Sequence, residues 1–130
     1  MTTLENKRIF LAHWTYSRDE WRTFLRWNKM RQGLWYYLLH RVFQERNAQV
    51  PEIAITHQKV WIGDHVQSFR DRNKQLKKIY IREAGNMNII EISFETAGKQ
   101  AVLSNICIPI PKGKLREAIE VHESLSLYAW

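Results

Sequence analysis

The stretch Pro51-Glu52-Ile53-Ala54-Ile55-Thr56-His57-Gln58-Lys59-Val60-Trp61-Ile62-Gly63-Asp64 decides the fold class. Upstream of Pro51 the apolar residues recur at helical spacing. From Pro51 onward they recur at a period of two, the signature of half-buried strands. Residues 52–56 and 59–62 are therefore expected strands, joined through His57-Gln58, and Gly63-Asp64 marks the next turn.

The same period continues downstream. A short run at 65–69 precedes a polar loop at 70–75, and strand character resumes over 76–82. Gly85-Asn86 signals a turn. Residues 89–95 alternate, with Ile90, Ile92 and Phe94 facing inward. A loop around Gly98 leads to the last strand, 103–110, with Ile106, Ile108 and Ile110 on one face. Pro109 cannot donate to a ladder, so that strand belongs at a sheet edge. Leu115, Ala118, Ile119, His122 and Leu125 then have helical spacing, which predicts a terminal helix from about 113 to about 126.

Upstream, residues 8–16 are β-branched and aromatic enough for a strand, with Phe10, Ala12, Trp14 and Tyr16 on one face. Ser17 followed by Glu20 is a capping box, and Asp19 and Glu20 suit a helix N-terminus. In the helix that follows, Trp21, Phe24, Leu25 and Trp27 gather on one side. Arg18, Arg22, Arg26 and Lys29 gather within about 80° on the opposite side. Asn28, Arg31, Gln32 and Gly33 interrupt the apolar side before a second helical stretch, 34–43, which leaves one long helix with a weak centre or, the favoured reading, two helices with a break or bend near Gly33.

The chain has 130 residues, room for one domain. Its 45% hydrophobic and 25% charged content is that of a soluble globular protein. One cysteine excludes an internal disulfide framework and a cysteine-based zinc site. No apolar run reaches the ~18 residues of a spanning helix. The first six residues lack a secretory apolar stretch, so a cytoplasmic location is expected.

The formal charge is +7, unevenly spread: net +5 over residues 1–50, +3 over 51–83 and −1 over 84–130. Such asymmetry favours an acidic partner, although solubility alone also accounts for a charge of this size. The stripe Arg18, Arg22, Arg26, Lys29 is the sharpest candidate site. Its like charges repel by a few tenths of a kcal/mol per close pair, a strain that a phosphate-bearing partner would relieve. Arg70, Arg72, Lys74, Lys77, Lys78 and Arg82 form a second cluster, around the 70–75 loop and the strand after it. Trp14, Trp21, Trp27, Trp35, Tyr36 and Tyr37 could anchor at a membrane interface, core packing being the commoner use. Trp35, Leu38, Leu39 and Val42 are candidates for a dimer interface.

Catalytic signals are absent. The sequence contains no Gly-x-Ser-x-Gly elbow, glycine-rich phosphate loop or His-Glu-x-x-His. The five histidines lack i,i+4 pairing; His57 and His65, flanking one hairpin, are the nearest to a pair, and turn histidines are the commoner reading. Cys107, between isoleucines, reads as an inert buried thiol. Pro111-Lys112-Gly113-Lys114 could attract an anion at a helix start, and a plain strand-to-helix turn accounts for it as well.

The order is strand, helical insert, five or six short antiparallel strands and a terminal amphipathic helix. This resembles the pleckstrin-homology-like fold, and within it the bacterial YcxB-like group. Three places carry the resemblance. Thr15-Tyr16-Ser17-Arg18-Asp19-Glu20-Trp21 is an aromatic strand running into a capped helix. The meander runs from Ile53 through Phe94. Ile108-Pro109-Ile110-Pro111-Lys112 leads into the last helix. Members of that group commonly carry a membrane-spanning hairpin after the first strand. Here residues 21–46 are too charged and too short to span. The resemblance implies no catalytic residues.

The expectation is a single α+β domain over residues 1–130: a curved antiparallel sheet or small barrel, a C-terminal helix and a helical insert at about 17–46. Expected function is non-enzymatic, without metal or cofactor: a binding or scaffold module that self-associates and docks on an anionic membrane surface or acidic partner. The anion contacts would be Arg18, Arg22, Arg26, Lys29, Lys77, Lys78 and Arg82. The location would be cytoplasmic, peripheral to the inner membrane. The alternative is nucleic-acid binding through the basic helix face.

Overall fold

The computed structural model describes residues 10–29, 50–98 and 100–129. The second helical stretch, the bend near Gly33 and the interface candidates Trp35, Leu38, Leu39 and Val42 lie outside the described residues.

The chain is α+β. In order it forms β1 (Ala12–Trp14), α1 (Arg18–Lys29), β2 (Ile53–Ile55), β3 (Lys59–Ile62), β4 (His65–Ser68), β5 (Lys74–Ala84), β6 (Met87–Thr96), β7 (Val102–Ile110) and α2 (Leu115–Ser126). Every strand pairing among these is antiparallel. The strands divide into two sheets, ordered β1-β2-β3-β4 and β5-β6-β7, with no ladder closing them into a barrel among the described residues. The division falls where sequence reading places the polar loop. Asp71 turns the backbone there: its carboxylate accepts the Asn73 amide at 2.8 Å and the Ser68 hydroxyl at 3.0 Å. The Phe69 and Arg70 amides turn back onto the Gln58 carbonyl.

Short turns set the registers. Thr56 closes the β2–β3 connection: its hydroxyl accepts the Gln58 and Lys59 amides and donates to the Lys59 carbonyl. Two-residue hairpin turns follow β3 and β5. Each needs a left-handed residue, and glycine supplies it at no steric cost: Gly63 has φ 59° and Gly85 φ 65°. The strand pairing steps at Leu76/Lys78, so Lys77 sits in a bulge. Pro109 lies on β7, an outer strand of its sheet, as its missing N–H requires.

One core joins both sheets and both helices. Trp14, Ile53, Ile55, Val60 and Ile62 of the first sheet meet Leu76, Ile90, Ile92, Ile106 and Ile108 of the second. The strands' alternation is weaker than the sequence pattern suggests. Ile89, Glu91, Ser93 and Cys107 are buried along with their inward neighbours; on the central strand β6, Glu91 meets Arg82 of β5 and Ser93 meets Asn105 of β7. The buried stripe of α2 also differs from expectation. Ala118, Val121 and Leu125 pack inward, while Leu115 and Ile119 stay exposed. The i, i+3, i+7 set wins because Trp14 donates to Glu117 at 3.1 Å and His122 meets the Ile79 carbonyl at 3.1 Å, which sets the helix rotation.

Candidate anion-binding surface

α1 begins as its capping box dictates. The Ser17 amide donates to Glu20 Oε1 at 2.8 Å, and the Glu20 amide donates to Ser17 Oγ at 3.1 Å. The Glu20 carboxylate goes further and accepts the Lys112 amide at 2.8 Å through Oε2. The strand-to-helix turn at Pro111-Lys112-Gly113-Lys114 does attract an anion, but the anion is the protein's own Glu20. Partial desolvation opposes the charged form of Glu20. The Ser17 and Lys112 amides, the Ser17 hydroxyl and the Lys112 charge outweigh it, and its pKa lies below the ordinary glutamate value.

The apolar side of α1 is consumed by the core. Trp21 and Phe24 are fully buried. Tyr16, Trp21, Phe24 and Trp27 form a run of tilted ring contacts with centroids 5.4–6.1 Å apart. Tyr16 anchors the helix entrance by donating from its hydroxyl to the Pro109 carbonyl at 2.8 Å. Burial, and then the nearby Glu20 charge, push its phenol well above the ordinary tyrosine range. Trp14 is also buried. Neither Trp14 nor Trp21 is placed to anchor at a membrane interface; Trp35, Tyr36 and Tyr37 lie outside the described residues.

Arg18, Arg22 and Arg26 are exposed, and none has a carboxylate partner among the described residues. Lys29 is the last residue of the helix; its side chain lies outside the described part.

The second cluster is mostly committed elsewhere. Arg82 donates from Nη1 to Glu91 Oε1 at 2.9 Å, and the Glu91 side chain is only 5% exposed. Arg82 thus neutralises a buried carboxylate, which leaves it a structural partner. Lys77, in the bulge, faces Glu95 at 4.0 Å. Lys78 is exposed without a partner among the described residues. Lys74 reaches Asp71 at 3.6 Å. The two clusters are not contiguous: α1 packs on β7, while β5 lies across β6 at the other edge of the sheet, about 10 Å away.

The histidine pair does not assemble. His65 is opposite Ile62, and His57 lies beyond the far end of β3 at Lys59, which is itself three strand steps or about 10 Å from Ile62. His57 instead sets its ring edge-on to Tyr128, centroids 5.8 Å apart. No group of three or more His, Cys, Asp or Glu is placed to hold a metal ion among the described residues. Cys107 is buried and in no disulfide. No helix among the described residues is long and apolar enough to cross a membrane.

Sequence reading did not find Tyr128. Its ring lies under the Arg70 guanidinium, 4.1 Å from Cζ to the centroid. The partners are separated by most of the second sheet, and no local pattern links them. No family model matches the sequence, and no curated protein or solved structure matches the chain.

Proposed function

We propose that this chain is a binding module of pleckstrin-homology-like type, without catalytic activity, that docks on an anionic membrane surface through the cationic side of α1. One observation carries the reading: Arg18, Arg22 and Arg26 stand exposed, without a carboxylate partner among the described residues, on a helix whose Trp21 and Phe24 are already buried. The four-plus-three strand arrangement with a terminal helix accords with the resemblance drawn from the sequence.

The burial of Trp21 and Phe24 sets the mechanism. An interfacial helix that inserts needs its apolar face free. Here that face is occupied, so docking is electrostatic and superficial. Each basic residue near an anionic bilayer contributes about 1 kcal/mol. Three of them give about 3 kcal/mol, a gain of roughly a hundredfold over neutral lipid. Such attachment is reversible. Self-association, proposed through Trp35, Leu38, Leu39 and Val42, would multiply the cationic helices presented and raise avidity.

Co-sedimentation with phosphatidylglycerol-containing and phosphatidylcholine vesicles tests the proposal. The expected result is pelleting with anionic vesicles alone, lost with rising salt and lost in the triple variant R18Q/R22Q/R26Q. Equal recovery with both vesicle types overturns it. Retardation of an oligonucleotide at low salt without vesicle binding would transfer the helix face to nucleic acid.

A further inference from the structure

A second surface, separate from α1, is built between the β4–β5 loop and the turn that follows α2. The two segments line an open cleft of about 670 Å³. That volume is in the range of small-molecule sites. Arg70 and Arg72 of the loop and Lys74 at the start of β5 line the cleft, together with Leu127 and Tyr128 of the turn after α2.

The charges of this cleft are arranged unevenly. Its acids are occupied. Asp71 is held inside its own turn by Ser68, Asn73 and Lys74, and Glu95 faces Lys77. Its arginines are open. Arg70 is clamped twice, by donation from Nε to the His57 carbonyl at 3.1 Å and by stacking on Tyr128. Both contacts leave its Nη atoms without a hydrogen-bond partner among the described residues. Arg72, two residues on, is exposed and likewise unpaired. A guanidinium fixed in orientation with its outer N–H groups free loses little entropy on binding an oxyanion and donates to it in bidentate fashion. The wall formed by the turn after α2 is apolar where a ligand's remainder would lie: Leu127 is 83% exposed and Tyr128 40%. A free inorganic anion would leave that wall in water.

From this combination we propose that the cleft binds a soluble organic phosphate monoester. Its phosphate lies between Arg70 and Arg72. Its apolar ring or chain lies against Leu127 and the exposed edge of Tyr128. The phosphate's multiple oxygens match the donors of two guanidinium groups that line one cleft.

Calorimetric titration of the full chain with inorganic phosphate, phenyl phosphate and phenol tests the assignment. Phenyl phosphate should bind about tenfold more tightly than inorganic phosphate, since only it fills the apolar wall. Phenol should not bind measurably. R72Q, at an exposed position without structural partners, should weaken phenyl phosphate at least about tenfold. The α1 variant R18Q/R22Q/R26Q should leave that affinity unchanged, which separates this cleft from the vesicle-docking helix. Equal affinity for phosphate and phenyl phosphate, indifference to R72Q, or loss of binding in the α1 variant each overturns the proposal.

Discussion

Replacing Glu20 with alanine should loosen one joint between three elements. Glu20 accepts from the Ser17 amide at the start of α1 and from the Lys112 amide between β7 and α2, both at 2.8 Å. The first contact is half of a capping box, and losing a helix N-terminal cap costs about 1 kcal/mol. The second is a charge-assisted hydrogen bond at a partly exposed site. Water can replace it, so its loss is placed at about 1 kcal/mol, the low end of such bonds. The sum is about 2 kcal/mol, or roughly 8 °C in Tm for a chain of this length. E20Q retains a neutral carbonyl oxygen for one amide and should lose about half as much. The pH dependence has a definite sign. The folded pKa of Glu20 is depressed, so its stabilisation is full above the unfolded glutamate value and disappears as pH falls through the folded value. The gap between the parent chain and E20A should therefore be widest near neutrality and close in acid. Urea denaturation at neutral pH and at about pH 3 measures both quantities. A gap under about 0.5 kcal/mol at neutrality, or one that does not shrink in acid, would refute the account of this joint.

Other perturbations follow from single contacts. Y16F removes the hydrogen bond to the Pro109 carbonyl and should cost about 1 kcal/mol in chemical denaturation; no change would mean that water satisfies that carbonyl equally well. G85A places a side chain at φ 65° with nothing within 4 Å of its Cβ, so the cost is backbone strain alone, about 1 kcal/mol, and G85N should cost less; thermal melts rank the two. R22Q should leave stability within about 0.5 kcal/mol, because Arg22 is exposed and unpaired, with a slight gain from relieved repulsion; a loss above about 1 kcal/mol would expose a structural contact.

The sequence by itself determined the α+β class and most element positions. Local chemistry is sufficient for these: a capping box at Ser17 and Glu20, glycine turns after β3 and β5, and a terminal helix after Gly113. It also determined that α1 has an oily and a cationic side, and that β7 is an edge strand, because proline lacks a donor wherever it stands. Tertiary structure decided what periodicity cannot encode. Glu91 and Ser93 are buried where β5 and β7 bring Arg82 and Asn105 against them, which is a property of sheet order. The α2 stripe rotates to Ala118, Val121 and Leu125 because of contacts with Trp14 and Ile79, distant in sequence. Lys77 and Arg82 read as free cations until cross-strand pairing brings Glu95 and Glu91 against them. The stacking of Arg70 on Tyr128 joins residues 58 positions apart, and only the return of the chain after α2 brings them together. Charge and period are local quantities; whether a charge is spent or available depends on what the fold sets opposite it.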